Sequence, residues 1–339
     1  MWPRFRRRHV LPFIAALGAA IIIAPYSYLF RSPIRRQPLT FLLSQTLRPA
    51  STHVFRDNLT EHVVVISVDG LRPDAIERFS PPSIVRLARQ GAASLTAQTI
   101  VPSQTLPSHT SMLTGTEPAA HGITWNTDLT VVRGREMPVP TIFGIAKQSG
   151  LTTAAFFSKS KFHHLEVARD LDYSQSPNGG WGKILAFRTA EDVERILTHS
   201  RPNLLFVHLG EPDYTGHFIG WMTPAYGTAV RAADKAIARI LAASERAFGA
   251  GKYVVILTAD HGGSGRGHLK EDPVNRTIPW IAWGQSVAGT ATLPAGIRTM
   301  DTAATALWLL GIPVPAHMTG RPVLAAFIAQ YRAPTPGDQ

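Results

Sequence analysis

Apolar positions along residues 61–330 predict strands that alternate with helices. Continuous apolar runs, typical of strands buried on both faces, lie at His62–Val68, Leu151–Ser158, Asn203–Leu209, Tyr253–Thr258 and Ile278–Trp283. Helical periodicity ending at a glycine predicts helices at Ser83–Gln90, Thr223–Phe248 and Thr302–Leu310. This alternation predicts an α/β fold with a mainly parallel central sheet sandwiched by helices.

A different pattern covers the N-terminus. Residues 1–9 are basic, with four arginines, and residues 10–30 form an uncharged apolar run. About 20 apolar residues are needed to cross a bilayer, so we expect one transmembrane anchor or uncleaved signal at residues 10–30. The short basic end favours a single-pass protein whose folded part is extracytoplasmic, or periplasmic in a bacterium. We expect a membrane-proximal linker at residues 31–60 and a flexible tail at residues 331–339.

The net charge of +11 is concentrated at the N-terminus. Residues 1–60 hold nine arginines and one aspartate, a net +8, whereas the remaining residues hold only +3. We therefore expect no nucleic acid polymer as a partner. The absence of cysteine excludes disulfides, zinc fingers, iron–sulfur clusters and thiol catalysis. Nothing in the sequence indicates an oligomeric state.

Acidic residues and a histidine follow three of the predicted strands. Asp69 comes directly after the first strand, Asp213 just after the third, and Asp260 with His261 after the fourth. The carboxyl ends of parallel strands meet at one edge of a sheet, where ligands gather. We therefore expect these side chains to lie together.

The chemistry of these side chains indicates a metal site. A mixed set of oxygen and nitrogen donors suits Zn²⁺ or Mn²⁺ better than Ca²⁺ or Mg²⁺. Six ligands are too many for one tetrahedral ion but suit two, and two ions about 4 Å apart clamp the oxygens of a phosphoryl group. The six candidates are Asp69, Asp213, His217, Asp260, His261 and His268.

The order of motifs resembles the alkaline phosphatase superfamily, and within it the type I phosphodiesterase/nucleotide pyrophosphatase family. The motifs are Asp, Thr-x-Pro-x-His, Asp-x-x-x-His, Asp-His-Gly and a last His, and the resemblance runs from about Val63 to Val323. It implies an alkaline phosphatase-like catalytic domain at residues 61–330. It also implies metal-dependent hydrolysis of phosphodiester or nucleotide pyrophosphate bonds. The expected substrate is a phosphate-ester small molecule or, as the predicted membrane anchor suggests, a lipid head group.

The resemblance further implies roles for individual residues. Thr105 is the expected nucleophile and transiently carries the phosphoryl group, and Asn126 is expected to hydrogen-bond a phosphate oxygen. Two divalent ions, most consistent with zinc, are expected in two sites. The first site would comprise Asp69, Thr105, Asp260 and His261, and the second Asp213, His217 and the last histidine.

The last histidine has two candidates. His268 precedes an apolar Ile-Pro strand, as in short members of the superfamily, whereas His317 lies in what resembles a C-terminal loop. We therefore expect His268 to be the ligand. A threonine hydroxyl needs activation, and coordination to zinc lowers the pKa of an oxygen. A helix over Ser108–Leu113 would also direct its N–H groups at the phosphate.

Other interpretations remain open. A phosphonoacetate hydrolase-like enzyme would cleave a C–P bond with the same metals, and a membrane-tethered binding protein would carry a vestigial site. A sulfatase is disfavoured because its Cys/Ser-x-Pro-x-Arg motif is replaced by Thr105 and His109. Lys159 and Lys161 face an anionic substrate in one interpretation, but lysines are usually solvated, so we leave both out of the predicted site.

Overall fold

The computed structural model describes residues 59–129, 137–177, 185–270 and 272–328. The predicted basic N-terminus, the anchor at residues 10–30, residues 31–58 of the linker and the tail at 331–339 lie outside these ranges. Within the described ranges, no helix combines the length and apolar character that a membrane span requires. The predicted domain boundaries stay predictions.

The described strands form one sheet in the order β4-β3-β5-β1-β6-β7-β2-β8. Their bounds are β1 Val63–Val68, β2 Ala92–Gln98, β3 Thr153–Phe156, β4 Tyr173–Gln175, β5 Leu204–Leu209, β6 Val254–Thr258, β7 Thr277–Gly284 and β8 Ala291–Thr292. At the centre, β1 pairs in parallel with β5 and β6, so that Val65 lies between Phe206 and Ile256. Every residue of these three strands is buried, which explains their predominantly apolar sequences.

The sheet is mixed, so the prediction of a mainly parallel sheet is only partly correct. β3 is parallel to β4 and β5, and β2 is parallel to β8, but β7 is antiparallel to both β6 and β2. The strand β2 was not predicted. Its sequence AASLTAQ buries the small residues Ala92, Ser94 and Ala97, which give no apolar strand signal.

The helices connect the strands and pack around the sheet. Their bounds are α1 Pro73–Phe79, α2 Pro82–Gln90, α3 Thr105–Thr114, α4 Pro118–His121, α5 Ile142–Gln148, α6 Ala186–Leu197, α7 Glu211–Phe218, α8 Pro224–Phe248, α9 Pro273–Arg276 and α10 Asp301–Leu309. The helices form two groups of mutual contacts. In one group the long helix α8 contacts α1, α2, α6 and α7, and in the other α10 contacts α3 and α5.

Two helix starts matter for the site. The helix α8 begins with Pro224 after Thr223, whose Oγ1 accepts a hydrogen bond from the Tyr226 N–H, a favourable N-cap. The helix α3 begins at Thr105, one turn earlier than the predicted start at Ser108. Thr105 is therefore the first helical residue, close to the positive end of the α3 dipole.

Candidate active site

The predicted residues meet at the carboxyl ends of the central strands. Asp69 follows β1, Asp260 and His261 follow β6, and Asp213 lies in α7 directly after β5. All four side chains are buried, and three of them have no exposed surface at all. The convergence predicted from strand order is confirmed, and it places three carboxylates in a dry environment.

One oxygen of each carboxylate faces the same nitrogen, Nε2 of His261. The Oδ1 atoms of Asp69 and Asp213 and the Oδ2 of Asp260 lie 3.5, 3.9 and 3.3 Å from it. None of these oxygens accepts a hydrogen bond from the described residues. His261 Nδ1 donates to the Gly262 carbonyl at 2.8 Å, so its Nε2 presents a lone pair to them.

Unpaired carboxylate oxygens beside a nitrogen lone pair repel one another in a buried site. A divalent cation removes this repulsion, and oxygen and imidazole donors are ligands that zinc accepts. Thr105 Oγ1 lies 3.3 Å from the same His261 nitrogen, so the hydroxyl belongs to this donor set. The residues present therefore fit a metal ion.

A second donor group shares Asp213 with the first. Ligand atoms of Asp213, His217 and His268 all lie within 4.8 Å of one another. His217 Nδ1 donates to the Arg266 carbonyl at 3.0 Å and His268 Nδ1 to the Ser103 carbonyl at 2.5 Å. In the neutral form of each ring, this hydrogen bond leaves Nε2 as the nitrogen whose lone pair a metal would bind, a common arrangement of metal-binding histidines.

The positions of His268 and His317 distinguish the two candidates for the last ligand. The His268 ring stacks on His261 with centroids 3.7 Å apart, inside the site. His317 is exposed and belongs to neither donor group of the described residues. The geometry therefore favours His268 as the last member of the set.

Lys159 is the functional residue that the sequence analysis missed, and its predicted solvation is wrong. Its Nζ lies 2.5 Å from Asp69 Oδ2 and 2.6 Å from Asp213 Oδ2, and the side chain is 6% exposed. Burial opposes ionisation of Asp69, but the ammonium of Lys159 and the hydrogen bond from His208 outweigh it and hold the pKa of Asp69 well below its usual range. Burial and the neighbouring Asp69 raise the pKa of Asp260 well above its usual range.

A second missed residue, His208, orients Asp69. Its Nε2 donates to Asp69 Oδ2 at 2.9 Å, while its Nδ1 accepts from the Ser158 hydroxyl at 2.7 Å. Burial lowers the pKa of His208, so this neutral tautomer persists at neutral pH. The available signal was a histidine inside the otherwise apolar strand LLFVHL, where a polar group needs buried partners.

The start of α3 positions the predicted nucleophile. Thr105 is 1% exposed, and its carbonyl accepts a hydrogen bond from His109 Nδ1 at 2.8 Å. The Leu106 N–H donates to Asn126 Oδ1 at 2.9 Å, and Lys161 Nζ donates to the same oxygen at 3.0 Å. Because Oδ1 of Asn126 is occupied, its amide Nδ2 is the group left to donate to a substrate.

The glycines of the Asp-His-Gly-Gly motif allow close packing within the protein. A Cβ on Gly262 would lie 1.9 Å from the Val274 carbonyl oxygen, and one on Gly263 would lie 2.1 Å from the Trp221 ring. The absence of a side chain at both positions therefore serves packing within the protein. The Trp221 ring in turn lies 5.1 Å from that of His217, so Gly263 supports the second donor group.

A cavity of about 320 Å³ opens onto Thr105. Thr105 and Asn126 lie on its wall together with Lys161, Tyr214 and Phe218. The cavity therefore joins the metal-ligating groups to a partly aromatic surface large enough for a small phosphate ester.

The sequence matches a known family. A family model described as type I phosphodiesterase/nucleotide pyrophosphatase matches residues 63–288, more than half of the chain. The chain belongs to the type I phosphodiesterase/nucleotide pyrophosphatase family, as the motif order predicted.

Relatives of known sequence agree with this assignment. Human ectonucleotide pyrophosphatase/phosphodiesterase family member 7 is 23% identical over 250 residues, which cover 66% of this chain and 53% of that protein. An uncharacterized pyrophosphatase/phosphodiesterase of Schizosaccharomyces pombe is 26% identical over 226 residues, covering 62% and 46%. The chain spans about half of the length of these curated relatives.

Solved structures share the fold. Murine ectonucleotide pyrophosphatase/phosphodiesterase 5, in an inactive form with AMP, has a TM-score of 0.63 at 14% identity, covering 76% of this chain and 96% of that one. A 2-O GAG sulfatase has a TM-score of 0.63 at 16% identity, covering 78% and 73%. These neighbours bear out the predicted alkaline phosphatase-like α/β fold, with a mixed sheet.

Proposed function

We propose that the protein is a metal-dependent hydrolase of phosphodiester or nucleotide pyrophosphate bonds, with Thr105 as the nucleophile. One observation carries the proposal. Three buried carboxylate oxygens without hydrogen bonds, the lone pair of His261 and the Thr105 hydroxyl converge on one point. Such a point stabilises a divalent cation and places it against a hydroxyl that needs activation.

The donor groups suit two ions, and zinc is the preferred metal on their chemistry. The first ion is assigned to Asp69, Asp260, His261 and Thr105, and the second to Asp213, His217 and His268. When bound, the ions supply Lewis acidity that lowers the pKa of the threonine hydroxyl and offsets phosphoryl charge. The two donor groups, together with Asp260 and Thr105 beside His261, argue against a vestigial site.

The chain's own residues then divide the work of the reaction. Thr105 Oγ1 attacks phosphorus, the bond from phosphorus to the leaving oxygen breaks, and the threonine carries the phosphoryl group until water cleaves the ester. Asn126 Nδ2 donates to a non-bridging oxygen as charge develops there, aided by the N-terminal dipole of α3. His109 fixes the Thr105 backbone, because its Nε2 accepts from the Ser67 hydroxyl at 2.8 Å while its Nδ1 holds the carbonyl.

The proposed substrates are phosphate esters of small molecules, nucleotides or lipid head groups. Support for nucleotides comes from the names of the relatives and from AMP in the murine structure. We also propose that residues 10–30 anchor the protein in a membrane with residues 61–330 outside the cytoplasm. Deleting residues 10–30 would then move the protein from the membrane to the soluble fraction, whereas unchanged fractionation would contradict the anchor.

The test of the reaction compares two esters on the full-length, zinc-loaded protein in detergent. We expect turnover of bis-p-nitrophenyl phosphate to exceed that of p-nitrophenyl phosphate. Thr105→Ala should lower diester turnover at least about a thousandfold with zinc content unchanged. Thr228→Ala, which removes an exposed threonine hydroxyl on α8, should have no effect. Diester activity that survives Thr105→Ala would contradict the proposed nucleophile.

A further inference from the structure

The two lysines at the cavity have different partners. Lys159 Nζ contacts two carboxylates, whereas Lys161 Nζ has one hydrogen bond, to the neutral amide oxygen of Asn126 at 3.0 Å. Lys161 forms no ion pair with any described carboxylate, although Asp128 lines the same cavity. An ammonium on the cavity wall without an acidic partner is a group that an anion would stabilise.

Lys161 is held at this place by the residue next to it. It belongs to a 3₁₀ turn, Ser160–His164, whose Phe162 is fully buried. The Phe162 ring lies 4.8 Å from that of His109 and 4.6 Å from that of His208, both in the hydrogen-bonded network behind the site. The position of Lys161 relative to Thr105 is therefore set by core packing, as a binding group requires.

The environment of Lys161 opposes its charge. Burial and the nearby Lys159 lower the pKa of Lys161 to about 8. Both effects disfavour the ammonium in the ligand-free protein, and the attraction of a bound anion offsets them. In the metal-free protein the side chain is still mainly protonated at neutral pH and can bind such an anion.

The reacting phosphoryl group does not need this charge. With two divalent ions, the four positive charges of the ions and that of Lys159 already exceed the negative charges of Asp69, Asp213 and Asp260. A phosphodiester carries a single negative charge. Lys161, moreover, hydrogen-bonds to Asn126 and to none of the proposed metal ligands. Its charge is therefore available to another part of the substrate.

We propose that Lys161 forms a subsite for a second anionic group of the substrate, a carboxylate or a phosphate carried next to the reacting phosphoryl group. The inference rests on the proposed function, which places the phosphoryl group at Thr105. It narrows the substrate class to esters or anhydrides with an additional negative charge. Tyr214 and Phe218, on the same wall, leave room for an apolar remainder of the molecule.

Equilibrium binding tests the subsite without turnover. Calorimetry on the full-length, zinc-loaded Thr105→Ala protein compares methylphosphonate with phosphonoacetate and methylenediphosphonate, which add a carboxylate and a phosphonate to the same methyl carbon. We expect phosphonoacetate, methylenediphosphonate or both to bind at least about tenfold more tightly than methylphosphonate, because a hydrogen bond to a charged group contributes a free energy of this size. The tighter probe shows which anion the subsite takes.

Variants of Lys161 separate charge from structure. Lys161→Gln keeps a donor for Asn126 but removes the charge, and it should abolish most of the preference for the doubly charged probe. Lys161→Arg should keep the preference. Lys147→Met is the matched control, because Lys147 pairs with Asp172 at 2.6 Å and does not line the cavity. Unfolding temperatures of all variants verify that they fold, and Lys161→Met provides a second neutral variant.

Each outcome decides the proposal. Equal binding of the three probes, or a loss that is the same for all three in Lys161→Gln, would overturn the subsite. Diester hydrolysis that persists after such a result would leave the proposed function intact. A Lys161-dependent preference in a protein that hydrolyses no diester would instead support the subsite and contradict the proposed function.

Discussion

Each aspartate of the site uses its two oxygens differently. The Oδ2 atoms of Asp69 and Asp213 contact Lys159, and Oδ1 of Asp260 accepts from the Gly70 N–H at 3.1 Å. The other oxygen of each faces His261 without a hydrogen bond. The protein thus holds each carboxylate in place through one oxygen and leaves the other for a cation. This division, rather than the mere presence of acids, supports the proposed metal site.

Lys159 should contribute more to the stability of the metal-free protein than to that of the zinc-loaded protein. Lys159→Met leaves two buried carboxylates without their partner and should lower the free energy of unfolding by about 3–5 kcal/mol in chelator. The loss should be smaller with zinc, which restores positive charge. Urea unfolding with and without zinc measures both values. Lys147→Met, at a half-exposed ion pair, should cost at most about 1 kcal/mol, and equal losses for the two variants would refute the role of Lys159.

The charge of Lys161 gives a pH dependence with a definite sign. Without bound metal, burial and Lys159 lower its pKa to about 8, and the ammonium is lost as the pH rises through the pKa. The preference for phosphonoacetate over methylphosphonate should therefore fall as the pH rises through the pKa of Lys161, which bound zinc lowers and a bound anion raises. Lys161→Arg, measured at each pH, corrects for ionisation of the probes. A parallel fall in the Lys161→Arg protein would show that Lys161 is not the titrating group.

At the scale of elements, the loops after β1, β5 and β6 bring the site together, and a few tight contacts hold them. Strand register places Val68 opposite Leu209, so Asp69 and the start of α7 lie side by side. The loop after β6 packs through Gly262 and Gly263 against neighbours that a side chain would displace. The metal ligands therefore depend on packing between loops as well as on the strands.

Gly263 should be sensitive to substitution for this reason. Gly263→Ala would push its Cβ into the Trp221 ring, which lies beside His217 and His268. We expect zinc content to fall from two ions towards one and diester turnover to fall with it. Gly267→Ala, in the same loop with open space around the added Cβ, is the control. Full zinc content in both variants would show that Trp221 does not support the second donor group.

The sequence predicts those strands and helices whose hydrophobic pattern lies within the element itself. The strands β1, β5 and β6 are buried on both faces, so their apolar runs are visible in the sequence. The strands β2, β4 and β8 contain small or few residues and form by pairing with neighbours, which sequence periodicity does not register. Lys159 and His208 were missed for a similar reason, because their burial depends on residues distant in the chain.

At the scale of the whole molecule, the site couples distant parts of the chain. Its donors span Asp69 to His268 and lie on segments that meet only in the folded protein. A ligand that binds only the folded state stabilises it in proportion to its binding free energy. If the proposed metal ions bind, their binding and the folding of the described domain are therefore linked.

Removal of metal should consequently destabilise the fold. Free zinc at 100 times its Kd stabilises the folded state by about 2.7 kcal/mol per independent site. For a domain of this size, each kcal/mol shifts Tm by about 2–4 °C, so chelation of both ions should lower Tm by roughly 10–20 °C. Differential scanning calorimetry with zinc or a chelator measures the change. His217→Ala should reduce the shift, and a Tm that is insensitive to chelation would count against both metal sites.

The central claim is that Thr105 attacks phosphorus and is released by water, and the stereochemical course at phosphorus tests it most directly. A p-nitrophenyl phosphorothioate diester of one configuration is hydrolysed in ¹⁸O-labelled water, and the configuration of the product is determined. Two successive in-line displacements each invert phosphorus, so the account predicts overall retention. Overall inversion would show direct attack by water and would contradict Thr105 as the nucleophile.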